Sequence, residues 1–119
     1  MPEEVRYDPE QKLIHVNSWG HVTIDDWNRS REAVIRLYRR YRAGRVLVDV
    51  TRQVSAPSTL EIFDFGAEWP ASIRTAVVTG AATRAEQQFL ETVAMNRARP
   101  LRVFDDRDMA IAWLDSGLP

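Results

Sequence analysis

Two periods of apolar residues take turns along the chain. Between residues 13 and 18, Ile14 and Val16 alternate with His15 and Asn17, the pattern of a half-buried strand. Val5-Arg6-Tyr7 precedes this stretch across Asp8-Pro9-Glu10-Gln11. The Asp-Pro pair is a turn signal, so the two stretches predict a hairpin. The period then lengthens: Trp27, Val34, Leu37, Tyr38 and Tyr41 recur at helical spacing. Thr23 is a suitable N-cap for that helix, Asp25 and Asp26 put negative charge in its first turn, and Arg39, Arg40 and Arg42 put positive charge near its end. Each of these is favoured by the helix dipole or by the unpaired amides of the first turn. Gly44 is expected to supply the left-handed residue that closes the helix.

Residues 46–50, Val-Leu-Val-Asp-Val, are β-branched and apolar on both faces, as a central strand covered on both sides should be. Residues 51–57 read as a polar loop. Ser58-Thr59-Leu60-Glu61 has the spacing of a capping box. It opens a helix carrying Leu60, Ile62, Phe63, Phe65, Ala67 and Trp69, which Pro70 is expected to end. Residues 73–79 predict a further strand, with Gly80-Ala81-Ala82 as its turn. Thr83 and Glu86 form a second capping-box pattern, and Phe89, Leu90 and Val93 give that helix its core face. A short strand at residues 101–104 follows Pro100. Asp105 or Asp106 caps a last helix bearing Met109, Ala110, Trp113 and Leu114, and Gly117 stops it. The order β-β-α-β-α-β-α-β-α predicts one α/β domain over residues 1–119: a sandwich whose mixed, mostly parallel sheet of about five strands has helices packed on it.

Composition narrows the function classes. The chain has 119 residues, is 45% apolar and 28% charged, and carries a net charge of −1. No basic excess of the kind nucleic-acid binders carry is present, so no nucleic-acid partner is expected. No apolar run is long enough for a transmembrane segment. The start, Met1-Pro2-Glu3-Glu4, is acidic with no apolar stretch after it, so a cytoplasmic location is expected. Cysteine is absent, which excludes disulfides, thiolate metal sites and cysteine nucleophiles. The two histidines, His15 and His21, have no metal-binding spacing. No phosphate-binding glycine loop or nucleophile elbow occurs, and no carboxylate pair stands out. No cofactor, metal or catalytic residue is expected.

Several short motifs occur in a characteristic order. Asp26-Trp27 sits near the start of the first helix, Leu47-Val48-Asp49-Val50 makes a strand, and Ala76-Val77-Val78-Thr79-Gly80 makes another. Val103-Phe104-Asp105-Asp106 and a helix with Ala110, Trp113 and Leu114 close the chain. Together they resemble the SpoIIAA-like proteins, relatives of STAS domains and of the lipid-carrying CRAL-TRIO fold, over nearly the whole length. The resemblance implies a regulatory, non-enzymatic module that acts by binding other proteins. Anti-sigma-factor antagonists of this kind open their second helix with Asp-Ser-Ser/Thr-Gly, whose serine a partner kinase phosphorylates. Here the segment reads Pro57-Ser58-Thr59-Leu60. Ser58 falls near the acceptor position, while Pro57 and Leu60 depart from the motif.

Three groups of residues are therefore candidates. Ser58 is the phosphoacceptor candidate; a phosphate near a helix N-terminus could alter a docking surface. Thr51, Arg52, Ser55, Gly80, Thr83 and Arg84 collect with Asp105 and Asp106 at the carboxyl ends of the strands, where open α/β sheets bind ligands and helix N-termini attract anions. His21 joins them if it ends the second strand. Phe63, Phe65 and Trp69 cannot all face one sheet at helical spacing, so they imply burial under the third helix, a protein interface such as a homodimer, or a lid over an apolar ligand. The alternative to an interaction module is accordingly a small apolar-ligand or lipid binder with a cavity under the second and third helices.

Overall fold

Nine elements follow one another in the expected order: β1 (Glu3–Asp8), β2 (Leu13–His21), α1 (Ile24–Tyr41), β3 (Arg45–Ser55), α2 (Thr59–Ala67), β4 (Arg74–Thr79), α3 (Arg84–Asn96), β5 (Leu101–Phe104) and α4 (Arg107–Ser116). This computed structural model describes residues 2–117; Met1, Leu118 and Pro119 lie outside them. The sheet runs β1-β2-β3-β4-β5. β1 is antiparallel to β2, and the remaining pairs are parallel. Three crossovers each step to the next strand in the same direction. Right-handed connections therefore place α1, α2 and α3 on one face, leaving the other to α4.

Strand alternation sorts the core onto these two faces. Ile14, Val16, Val46, Val50 and Val77 pack with Trp27, Val34, Ile62, Phe65, Trp69 and Leu90 on the three-helix side. Leu13, Leu47, Ala76 and Val78 pack with Ala110, Trp113 and Leu114 of α4. The double-sided apolar pattern of residues 46–50 is thus a central strand between two cores. Arg74 pins α4 from below: its guanidinium carbon lies 3.7 Å from the Trp113 ring centre, and its Nη2 donates to the Trp113 carbonyl at 2.6 Å.

Local chemistry sets the element ends. Asp8 Oδ1 accepts from the Glu10 amide at 2.9 Å and holds the hairpin turn. Thr23 and Asp26 form a reciprocal capping box at α1. That bonding, led by the Thr23 backbone amide, holds the Asp26 carboxyl below the ordinary aspartate range. Gly117 ends α4 with φ +70°.

Four expectations need correction. Gly44 does not close α1; Arg42 takes the left-handed conformation, at φ 54°. Gly44 instead sits at a tight approach, where a Cβ would lie 3.3 Å from the Ser72 carbonyl oxygen. Residues 51–55 are strand, not loop: β3 continues alongside β2 through register shifts at Asn17/Trp19 and Gly20/His21. α2 ends at Ala67, before Pro70. The second capping box does not form, because the Thr83 side chain makes no cap bond and turns into the interior.

Candidate functional site

The strand ends come first, because the sequence placed most candidates there. Ligand crevices in open α/β sheets form where strand order reverses. Here the order never reverses, so the carboxyl ends make a rim without a cleft between diverging crossovers. Along that rim Thr51 is tied down locally: its Oγ1 donates to Asp49 Oδ1 at 2.6 Å. Gly80 lies against it, and a Cβ there would sit 2.6 Å from the Thr51 carbonyl oxygen. Ser55 Oγ meets His21 Nδ1 at 2.7 Å, so His21 does end β2 among these residues. Arg52 is exposed and borders an open groove of about 560 Å³ with Glu4, Asn17, Trp19 and Asp49. Arg84 is paired with Asp105 at 2.8 Å in an exposed ion pair, a pairing that contributes little stability. Asp106 accepts from the first-turn amides of α4. The rim brings together Thr51 with Gly80, His21 with Ser55, and Arg84 with Asp105, but it does not gather them into one pocket.

Thr83 leaves the rim altogether. It is fully buried, and its hydroxyl donates to Gln53 Oε1 at 3.4 Å. Gln87 Nε2 donates to the same oxygen at 3.0 Å, and Gln53 Nε2 donates to Ser18 Oγ at 2.8 Å. This buried quartet links β2, β3 and α3. It explains how Gln53 can lie in the interior at a polar strand end: both atoms of its side-chain amide find partners. The one trace in the sequence is Thr83 and Gln87 at i, i+4 on a helix face.

His15 is also more buried than its strand position suggests, at 6% exposure, and its Nε2 has no hydrogen-bond partner among the described residues. Burial, with Arg6 and Arg107 nearby, pushes its pKa below the ordinary histidine value. Among the described residues no cluster of histidine and carboxylates is arranged to hold a metal.

The aromatic helix divides into two sides. Phe65 and Trp69 are buried. Phe65 packs 5.0 Å from Trp27 and 5.6 Å from Trp69, with the Arg31 guanidinium over its ring. Trp69 Nε1 donates to Thr75 Oγ1 at 3.0 Å. The space left beside these rings, between the helices and the sheet, is an apolar crevice of about 60 Å³. Small-molecule pockets measure ~300–1,000 Å³, so the crevice is a packing fault in scale and not a ligand cavity.

The outer side is different. Phe63 is 41% exposed and Leu60, one turn before it, is 72% exposed. Arg97 of the α3 end lies over the Phe63 ring at 5.8 Å. Ser58 is exposed at the head of the same helix. Its Oγ accepts from the Glu61 amide at 3.3 Å, and its own amide donates to Glu61 Oε1 at 2.9 Å. Hydrogen bonding from Ser58, its backbone amide first and its side chain second, holds the Glu61 carboxyl below the ordinary range. Sequence reasoning included Leu60 among the apolar residues of the helix without marking it as surface. A helix with apolar residues on every side gives no signal for which of them is left uncovered.

No protein-family model matches the sequence, and no curated protein is significantly similar to it. Among solved structures, the crystal structure of an uncharacterised protein of the DUF3478 family from Shewanella loihica PV-4, with a SpoIIAA-like fold, is similar over 94% of this chain and 93% of its own. The TM-score is 0.60 at 14% sequence identity, so the likeness is one of fold. The chain has the SpoIIAA-like fold that its motifs resemble.

Proposed function

We propose that this protein is a non-enzymatic regulatory module of the SpoIIAA-like, STAS type, and that it docks another protein on the outer side of α2. The observation that carries this reading is the exposure of Leu60 and Phe63 one helical turn apart, beside an exposed Ser58. An amphipathic docking surface needs apolar anchors ringed by polar groups. Asp64 is exposed on the same helix, Glu68 is exposed at its C-cap, and Glu61 is half-exposed.

Ser58 is the proposed control point. Its hydroxyl is accessible, and its cap bond to the Glu61 amide is long at 3.3 Å. A phosphate there would gain the helix N-terminal amides and would face the Glu61 carboxylate. The capping box would have to break, and the charge at the docking surface would change. The apolar-ligand alternative would require the 60 Å³ crevice to open about fivefold before it reached the usual pocket range.

The test is comparative capture from host lysate with wild-type protein, a Leu60→Asp/Phe63→Asp variant and a Ser58→Asp variant. The wild type should retain a defined partner that the double variant loses, with Ser58→Asp shifting its affinity. Identical captured sets for wild type and double variant would sink the reading. A lipid-sized mass retained on the purified protein would replace it with the carrier reading.

A further inference from the structure

The two edges of the sheet are treated differently by the sequence. β5 is only four residues long, and the Val103 amide is held by the Glu91 carboxylate at 2.6 Å. A side chain thus occupies that edge. β1 is six residues long, and among the described residues no side chain bonds to its backbone from outside. An uncovered edge strand is a template for another strand.

The hydrogen-bond parity of β1 can be read directly. The Trp19 amide donates to the Pro2 carbonyl at 2.9 Å, and Glu4, Arg6 and Asp8 face Asn17, His15 and Leu13 in the same register. In an antiparallel ladder, hydrogen-bonded positions alternate. Pro2, Glu4, Arg6 and Asp8 therefore turn their backbone groups toward β2. Glu3, Val5 and Tyr7 turn theirs outward.

We propose that β1 pairs antiparallel with β1 of a second copy, centred on Val5, joining two five-stranded sheets into one. Parity allows only registers that set outward positions against outward positions. Charge then selects among them. With Val5 opposite Glu3, Glu4 faces Glu4. With Val5 opposite Tyr7, Arg6 faces Arg6 and Glu4 faces Asp8. With Val5 opposite Val5, Glu4 faces Arg6 twice, and Glu3 faces Tyr7 twice. Glu4 and Arg6 are both exposed, and they fall at the closely spaced non-hydrogen-bonded positions, where side chains meet most directly. Edge charges commonly guard against pairing; of the three registers that set Val5 against an outward residue of β1, these leave the Val5–Val5 register as the one with no like charges opposed. An added strand would also border the groove of about 370 Å³ between β1 and α1, lined by Glu3, Val5, Arg29, Glu32, Ala33 and Arg36. This inference is independent of the docking surface on α2.

The experiment is analytical ultracentrifugation of the full chain across micromolar concentrations, with circular dichroism as the fold control. The wild type should be a reversible dimer. Glu4→Arg and Arg6→Glu should each weaken it by about tenfold or more, since each converts two attractive pairs into repulsive ones. The Glu4→Arg/Arg6→Glu double variant should restore it. Val5→Pro removes an outward amide while sparing the ladder to β2, and should give a folded monomer. A wild-type monomer throughout would overturn the proposal. So would a dimer indifferent to both charge reversals, or one that survives Val5→Pro.

Discussion

Helix α2 has two apolar sides with opposite fates. On one, Phe65 and, just past the helix end, Trp69 sit at 8% and 5% exposure inside a cluster of rings. On the other, Leu60 and Phe63 stand in solvent at the head of the same helix. The residue types are alike. What differs is what lies beneath. The inner side joins the core cluster of Trp27, the sheet and α3, and on the outer side the Arg97 guanidinium lies over the Phe63 ring. Burial of the inner side stabilises the fold. Exposure of the outer side does nothing for stability and fits a surface kept for a partner.

That contrast can be broken from the inside with the largest effect. Trp69→Ala removes a packed indole and leaves Thr75 Oγ1 without its donor. It should cost about 3–5 kcal/mol in urea denaturation; a loss under about 1 kcal/mol would mean that the inner side is not the core. Gly66→Ala probes the α2–α3 contact. The new methyl would lie 3.0 Å from Leu90 and 3.1 Å from Val93. The crowding outweighs the better helix propensity of alanine, for a net loss of about 1 kcal/mol; a gain in stability would show that α3 yields freely.

The outer side should respond weakly. Ser58→Ala removes one cap bond and should cost about 1 kcal/mol or less. The partner group, Glu61, has a depressed carboxyl pKa. Its contribution is therefore present above the ordinary glutamate value, near pH 4.3, and is lost as pH falls through the depressed value. Glu61→Gln should flatten that acid limb of the stability profile; an unchanged limb would assign it to other carboxylates such as Asp26. Phe63→Asp gives up a partly covered ring and should cost about 1 kcal/mol, and smallest of all, Leu60→Asp should change stability by within about 0.5 kcal/mol, measured by the same denaturation. A large loss at either position would place it in the core and remove the basis for a docking face.

Much of the fold was legible in the sequence, for physical reasons. The hairpin turn, the N-cap and periodicity of α1 and the apolar centre of β3 each gave signals that agree with the structure. Where the sequence misled, a long-range partner had replaced a local one. Residues 51–55 look like a loop because Thr51 and Arg52 are polar and exposed, while the buried Gln53 is satisfied by Ser18, Thr83 and Gln87, which are distant in sequence. Thr83 looks like a cap for the same reason. Gly44 looks like a helix stop, yet it is small because Ser72 passes close by. The candidate site was half legible. Ser58 and its capping box follow from local spacing, and the excess of aromatic residues on α2 was plain. Which of those residues would stay uncovered depends on how α3 lies across the helix, and no local pattern encodes that.

The most direct test of α2 as a docking face is photo-crosslinking in the host from a benzophenone side chain placed at Leu60, with exposed Glu10 at the hairpin turn as the control position. If the outer side of α2 docks a protein, position 60 gives a discrete adduct with one heterologous protein and position 10 does not. No adduct from position 60, or the same adducts from both positions, would contradict it.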